Sequence, residues 1–270
     1  MLITPDQSYS LTIAGTEIEN IGAYFIELKG TIVKGDYDSL ISLVKEHKKL
    51  PAWIKITSEG GSVTEAIKIG KFVREALIPV NAHDQCYSSC FYIWVSSVDR
   101  NVFSKDINYI TDAISDIENF KVIGLHRPYF DKGYFSTLSM DEADIKYREL
   151  ELGVRAFLKQ MNVREKWIDE MMTHSSENIL LVTRRKLDLE FGFTSHSFEE
   201  WIIAKCPTQE RTLLLGKGLV LMDAMGHDDS NVKLTAEQKM EIKKQYLSYS
   251  SCKERAIRST QAEVLDKLLK

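Results

Sequence analysis

Three short segments contain the residue types that acyl transfer requires. Ser58–Val63 (Ser-Glu-Gly-Gly-Ser-Val) lies between an apolar run and a helical pattern, and its glycines can bring backbone N–H groups close to an oxyanion. Cys86–Cys90 (Cys-Tyr-Ser-Ser-Cys) places two serines at the head of an apolar run, where a nucleophile can stand. Gly124–Pro128 contains His126, which can act as the base. Together the three segments predict a serine hydrolase, although each alone also fits an ordinary turn, a helix cap or a structural histidine.

Each segment stands at the end or the beginning of a predicted element. Trp53–Thr57 is a short buried strand that runs into the two glycines, and Val63–Leu77 follows as an amphipathic helix. Ile78 begins the next strand, and Val122–Leu125 is a strand that ends at His126. This alternation predicts an α/β fold of βαβ units with a mostly parallel sheet. Such sheets place their sites at the carboxyl ends of the strands, where the three segments can meet.

The second half of the chain is predicted to be mostly helical. Helical patterns cover residues 141–160 and 163–172, and a brief strand at 180–183 precedes a helix with Thr183 as its N-cap. From about residue 206 the sequence is charged, with helical spacing and few aromatic residues. The prediction is therefore a domain of residues 1–205 followed by a helical C-terminal extension, residues 206–270.

Composition limits the class of protein. The chain has 270 residues, of which 44% are hydrophobic and 27% are charged, which is ordinary for a globular protein. Its net charge of −4 gives no basic field for nucleic acid, and no apolar stretch approaches the ~20 residues of a membrane span. Met1–Asp6 lacks the basic and apolar regions of a signal peptide, which predicts a cytoplasmic protein. A periplasmic location is the alternative if a signal peptide has been removed.

The chain contains four cysteines, which are too few for a disulfide scaffold. Cys86 and Cys90 are four residues apart, so a disulfide or a metal pair is conceivable. No histidine nearby and no second cysteine pair completes a zinc set. The sequence therefore favours two buried structural thiols over a disulfide, and it predicts neither a metal nor a cofactor.

The three segments together resemble a known family. Ser58–Val63 looks like the Ser-Pro-Gly-Gly-Ser-Val motif of the ClpP-like serine peptidases, which belong to the ClpP/crotonase superfamily. Cys86–Cys90 is similar to the Cys-Ala-Ser-Ala-Cys motif of ClpP-related proteins that are often exported to the bacterial periplasm. Gly124–Pro128 resembles the strand-end His-x-Pro of the family's catalytic histidine. The resemblance covers about residues 20–200 and implies the ClpP/crotonase-like spiral of βαβ units.

The family's functional residues can be transferred to matching positions of this chain. Ser88 matches the nucleophile and His126 the base, and the resemblance implies that the backbone N–H groups of Gly61 and Ser89 form the oxyanion hole. The residues that match the edge binding a peptide substrate are Gly60, Ser62 and Val63. These matches imply hydrolysis of peptide bonds in a peptide or protein substrate, without a cofactor.

The sequence departs from the family pattern at two places. Glu59 stands where the family usually has proline, and no aspartate lies near residues 177–179, where the third member of the triad is expected. Asn178 can orient the histidine as in Cys-His-Asn sites, and Glu177 is the acidic alternative. If neither reaches His126, the site is a dyad or is inactive.

The sequence also fits two other functions. A ClpP-like fold can serve as a catalytically inactive protein that binds peptides or partners, because fold does not fix function. A crotonase-type acyl-CoA enzyme also uses a pair of backbone N–H groups, but it has no need of a Ser-His pair. The resemblance further implies a homo-oligomer. Glu59, Tyr129 and Phe130 are the candidates for lining a specificity pocket.

Overall fold

The fold was obtained as a computed structural model, which describes residues 11–18, 23–108, 112–192, 194–208, 210–224 and 234–270. The strands are β1 (Thr12–Ile18), β2 (Ala23–Lys29), β3 (Ile54–Ser58), β4 (Val80–Tyr87), β5 (Arg100–Phe103), β6 (Lys121–Leu125) and β7 (Leu180–Thr183). The helices are α1 (Asp36–His47), α2 (Val63–Glu75), α3 (Cys90–Ser96), α4 (Ile114–Asn119), α5 (Lys132–Phe135), α6 (Met140–Gln160), α7 (Glu165–Thr173), α8 (Arg184–Glu190), α9 (His196–Lys205), α10 (Glu210–Ala224) and α11 (Ala236–Leu269).

The described strands form one mixed sheet of seven members in the order β1-β2-β3-β4-β6-β7, with β5 also paired to β4. The pairs β2–β3, β3–β4, β4–β5 and β4–β6 are parallel, whereas β1–β2 and β6–β7 are antiparallel. The central strands alternate with helices along the chain. The predicted α/β fold with a mostly parallel sheet and a C-terminal helical extension is therefore confirmed.

Strand β4 divides its pairing between two neighbours. Its first half, Val80–His83, pairs with β5, and its last residues, Cys86 and Tyr87, pair with β6. Between the two halves Asp84 has a left-handed backbone, with φ of 57°. Because a left-handed backbone interrupts the extended strand, β4 turns away from β5 and ends beside β6.

Helices α2 and α3 pack closely on one another. Ser62 is the N-cap of α2, and its hydroxyl accepts a hydrogen bond from Glu65 N–H. A Cβ on Gly70 in α2 would lie 2.6 Å from Ser96 Oγ and 3.0 Å from Tyr92 O of α3, so the contact requires glycine. All residues of α3 are buried. This packing joins the helix that follows the Gly-Gly turn to the helix that follows the serines.

Two disulfides cross-link the described chain. Cys86 at the end of β4 is joined to Cys90 at the start of α3, and Cys206 is joined to Cys252. The sequence-based preference for free buried thiols at Cys86 and Cys90 was therefore wrong. A spacing of four residues suits two positions on one helix face, but here Cys86 is in a strand. The turn between strand and helix brings the two Cα atoms to 5.2 Å, within the range of a disulfide.

The described chain separates into two compact units. One contains the described residues up to Ser195 together with Val264–Lys270, and the other contains those in His196–Glu263. The predicted boundary at residue 205 stays a prediction. Across the described ranges, none of the helices combines the length and the apolar composition that crossing a membrane demands.

Candidate active site

The three candidate segments follow three neighbouring parallel strands. Gly60 and Gly61 follow β3, Ser88 follows β4, and His126 follows β6. Because parallel neighbours end at the same edge of a sheet, the topology brings these residues to one place. The contact is direct between β4 and β6, since Ser88 N–H donates a hydrogen bond to Gly124 O at 2.9 Å.

The Gly60–Gly61 turn has a backbone that favours glycine at both positions. Their φ angles are 108° and 138°. Ile32 N–H donates to Gly60 O at 2.8 Å, and Ser62 N–H donates to Ile32 O at 2.7 Å. Gly61 thus forms an isolated parallel bridge with Ile32, while its own N–H makes no hydrogen bond to Ile32. A Cβ on Gly61 would lie 2.1 Å from Ile32 O, so a side chain there would break this pairing.

Gly60 also makes the close approach to the serine possible. A Cβ on Gly60 would lie 2.5 Å from Ser88 Cβ and 3.1 Å from Ser88 Oγ. Only a residue without a side chain therefore allows the turn after β3 to reach the serine after β4. The predicted oxyanion turn and the predicted nucleophile are neighbours in the structure.

Ser88 and Ser89 occupy different environments. Ser88 is half-buried, lines an open cleft and has a left-handed backbone, with φ of 55°. Ser89 is 1% exposed, and its hydroxyl has no hydrogen-bond partner among the described residues. Only Ser88 can therefore meet a substrate, which agrees with the residue favoured by the sequence motif.

Two backbone donors remain near Ser88. Within the described residues, neither Gly61 N–H nor Ser89 N–H donates a hydrogen bond to a protein acceptor. Gly61 belongs to the turn that touches Ser88, and Ser89 is the next residue along the chain. A pair of free N–H groups beside a serine hydroxyl is the arrangement that holds the oxyanion of an acyl-transfer intermediate.

His126 is buried at the end of β6, with 4% of its surface exposed. Its Nδ1 lies 2.7 Å from the carbonyl oxygen of Arg127, and its ring centroid is 5.5 Å from that of Tyr129. Burial lowers the pKa of His126 below its usual 6.5, and the hydrogen bond to Arg127 opposes this shift without reversing it. The ring is therefore neutral at neutral pH, as a general base must be.

The two residues predicted as the third member of the triad make no hydrogen bond to His126 in the described structure. Both Glu177 and Asn178 have exposed side chains. The main-chain carbonyl of Asn178 lies 3.1 Å from Nδ1 of His174, and no hydrogen bond joins either residue to His126 in the described structure. Nor does a hydrogen bond join Ser88 to His126 there.

A cleft of about 370 Å³ opens beside Ser88. It is lined by Gly61, Ser62, Val63, Thr64, Ser88, Pro128, Tyr129, Phe130, Asp131 and Leu150. Tyr129 and Phe130 thus stand where the sequence predicted pocket-lining residues. Glu59 is absent from the lining, and its carboxylate accepts a hydrogen bond from Thr31 Oγ1 at 2.8 Å instead.

Sequence reasoning missed one distant residue of the cleft, Leu150 of α6. Leu150 is partly buried in line with the apolar stripe of its helix, which continues through Val154 and Phe157. That stripe predicts which face of the helix packs on the domain, but it does not predict which end of the sheet the helix covers. Within the described ranges, no cluster of His, Cys, Asp or Glu is placed to hold a metal ion.

Comparison with known proteins gives only distant likenesses. No family model matches the sequence, and no curated protein matches it. An enoyl-CoA hydratase from Thermoplasma volcanium GSS1 is 13% identical, with a TM-score of 0.40 over 95% of each chain. A mutant of a membrane-bound stomatin-specific protease is 14% identical, with a TM-score of 0.36 over 67% of this chain and 83% of the other.

A methylmalonyl-CoA decarboxylase complexed with 2S-carboxypropyl-CoA is 9% identical, with a TM-score of 0.35 over 88% of this chain and 89% of the other. The similar structures thus include both a protease and acyl-CoA enzymes. The likeness does not choose between these reactions.

Proposed function

We propose that this protein is a serine hydrolase of the ClpP-like kind that cleaves peptide bonds. The observation that carries the proposal is the position of Ser88. It opens into a cleft while its Cβ and Oγ lie against the Gly60 backbone, beside the unpaired N–H of Gly61. The left-handed backbone of Ser88 and the two free amide donors near it together support a nucleophile with an oxyanion hole.

The proposed reaction proceeds through an acyl-enzyme. Ser88 Oγ attacks the substrate carbonyl while Nε2 of His126 takes the hydroxyl proton. The N–H groups of Gly61 and Ser89 hold the negative oxygen of the tetrahedral intermediate. His126 then gives the proton to the departing amine, and a water molecule releases the acyl group by the reverse sequence.

The substrate is proposed to be a peptide or protein that lies along the turn after β3. Gly60, Ser62 and Val63 stand at this edge, and Ser62 and Val63 also line the cleft. The opposite edge of the turn is occupied by the pairing with Ile32, so a substrate backbone meets the edge that faces Ser88.

The two disulfides indicate the kind of cellular compartment in which the protein works. Disulfides persist in oxidising compartments and are rare in the reducing cytosol. With Cys86 joined to Cys90 and Cys206 joined to Cys252, we propose that the protein works in an oxidising compartment such as the periplasm. Protein trapped with acid from its native cells should then contain no free thiol, and free thiols would contradict this location.

The proposal is tested by labelling with a fluorophosphonate, which reacts covalently with activated serines. We expect labelling of the wild type, complete loss in Ser88→Ala and retention in Ser89→Ala, because Ser89 is buried. Circular dichroism establishes that each variant is folded. Labelling that survives in folded Ser88→Ala would disprove the assignment of the nucleophile.

A second candidate is a catalytically inactive protein that binds peptides in the same cleft. The absence of a hydrogen bond between Ser88 and His126 in the described structure favours it. Catalytic hydrogen bonds are often long before substrate binds, so this geometry also suits an active enzyme. Absence of labelling in the folded wild type would favour the binding protein, and binding of a CoA thioester would favour the acyl-CoA alternative.

A further inference from the structure

We propose that the main-chain carbonyl of Arg127, rather than a side chain, orients His126 for catalysis. The inference rests on the proposed function, because it assigns the part of the third triad member in that site. The observation behind the inference is a single hydrogen bond of the His126 ring. The Nδ1 atom of His126 lies 2.7 Å from the Arg127 carbonyl oxygen, which can only accept.

That hydrogen bond determines where the proton lies on the neutral ring. Because the carbonyl cannot donate, Nδ1 must carry the hydrogen. Nε2 is then left with the lone pair, which is the state that a general base needs towards a serine hydroxyl. In a Ser-His-Asp triad the aspartate imposes the same tautomer, so the carbonyl performs the orienting part of that task.

The Arg127 carbonyl is held from both sides. Pro128 follows it, and a residue before proline is restricted to extended backbone, which limits the directions in which its carbonyl can point. On the other side, Arg127 N–H donates a hydrogen bond to His174 O at 2.8 Å. The acceptor that faces His126 is therefore fixed in place by the chain and is not free to rotate.

The segment 174–178, which was expected to supply the third member of the triad, makes a hydrogen bond to Arg127 instead. His174 anchors the Arg127 amide, and the His174 ring is in turn 3.1 Å from the main-chain oxygen of Asn178. The side chains of Glu177 and Asn178 are exposed. The 174–178 segment is thus linked to His126 only indirectly, through its hydrogen bond to the Arg127 main chain.

A carbonyl and a carboxylate differ in charge. A carboxylate would stabilise the imidazolium that forms when His126 takes the proton, whereas a neutral carbonyl stabilises it less. The lowered pKa of His126 agrees with the neutral partner, since burial outweighs the hydrogen bond. The cost of this arrangement is a weaker stabilisation of the charged intermediate than an aspartate gives.

The proposal is tested by measuring the tautomer of His126 directly by nuclear magnetic resonance. The full chain is labelled with nitrogen-15 in its six histidines, and long-range proton–nitrogen spectra are recorded above the pKa of His126. The His126 signals are assigned by their loss in His126→Gln. We expect the Nδ1–H tautomer to dominate in the wild type. Dominance of the Nε2–H tautomer would overturn the proposal.

Variants distinguish the effect of the Arg127 carbonyl on His126 from any effect of the Glu177 and Asn178 side chains. Pro128→Gly frees the Arg127 carbonyl, and we expect a gain of the Nε2–H tautomer of His126. Pro207→Gly, at an exposed proline of the other unit, is the matched control and should leave the spectrum of His126 unchanged. Asn178→Ala and Glu177→Ala should also leave the tautomer unchanged, and a switch in either would overturn the proposal.

This test is independent of catalysis. A wild type with the Nδ1–H tautomer but no fluorophosphonate labelling would contradict the proposed function and support the positioning. A labelled wild type with the Nε2–H tautomer would support the function and overturn the positioning. If Pro128→Gly does not fold, the tautomer of the wild type and of the two side-chain variants still shows whether the Arg127 carbonyl orients His126.

Discussion

Ser88 is the residue on which the proposed chemistry depends, and its backbone is unusual. A non-glycine residue in the left-handed region costs on the order of 1–2 kcal/mol. Here two hydrogen bonds hold it, from Ser88 N–H to Gly124 O and from Phe91 N–H to Ser88 O at 3.1 Å. The sharp turn lets β4 and α3 meet at the serine and aims its side chain at the cleft.

The lowered pKa of His126 predicts how the reaction depends on pH. Burial disfavours the imidazolium, so the ring loses its proton at a lower pH than the usual 6.5 and the base remains available there. We expect the rate constant for fluorophosphonate labelling to rise with pH and to level off, with a midpoint below 6.5. The measurement is the labelling rate across the acidic to neutral range.

His83 provides a matched control for this profile. Burial also lowers the pKa of His83, but it lies in β4 beside Phe103, with its ring stacked 4.9 Å away. His83→Gln should therefore leave the midpoint unchanged. A midpoint above 6.5 in the wild type would mean that an acidic group acts on His126, contrary to its neutral partner, the Arg127 carbonyl.

At the scale of elements, the two disulfides stabilise the protein to different degrees. The chain-entropy model gives about 2 kcal/mol for the pair Cys86–Cys90, separated by 4 residues, and about 4 kcal/mol for Cys206–Cys252, separated by 46. The short loop nevertheless contains Ser88. We therefore expect stability to depend more on the long loop and reactivity to depend more on the short one.

Two double variants test this difference. Cys206→Ala with Cys252→Ala should lower the free energy of unfolding of its own unit more, as measured by chemical denaturation. Cys86→Ala with Cys90→Ala should lower the fluorophosphonate labelling rate more, because the turn at Ser88 loses its cross-link. Equal losses of labelling rate in both variants would show that the short disulfide does not position the serine.

Much of the fold followed from local signals in the sequence. Thr183 was predicted as an N-cap, and its hydroxyl accepts a hydrogen bond from Lys186 N–H. The helix predicted over residues 141–160 is observed as α6, and its first turn is fixed by a capping box of Ser139 and Glu142. These features depend on neighbours within four residues, so one sequence suffices to predict them.

Other features could not be predicted because they depend on distant partners. The divided pairing of β4 is decided by where β5 and β6 lie, and the Cys86–Cys90 bond depends on the turn that this division creates. Beside the contact between His126 and the Arg127 carbonyl, Arg127 N–H is anchored by His174, which is distant in sequence. Motif spacing indicated the candidate residues but not the bonds that orient them.

At the scale of the whole molecule, α6 leaves apolar side chains in solvent. Ile145 is 56% exposed and Leu152 is 67% exposed, and their separation of seven residues places them on one face of the helix. The charged Arg148 and Glu149 lie between them, so the two side chains are separate contacts rather than one apolar patch. We expect the homo-oligomer that the family resemblance implies to use this face, where a second copy can cover both side chains by symmetry.

The proposed assembly predicts a measurable mass. Light scattering at micromolar concentration should give a multiple of 30.9 kDa for the wild type. Ile145→Lys combined with Leu152→Lys should lower that mass, because burying two ammonium groups in an interface opposes association. Leu247→Lys, at a residue of α11 that is 53% exposed, is the control and should leave the mass unchanged. A wild type of 30.9 kDa would contradict the oligomer, and a double variant that keeps the wild-type mass would place the interface elsewhere.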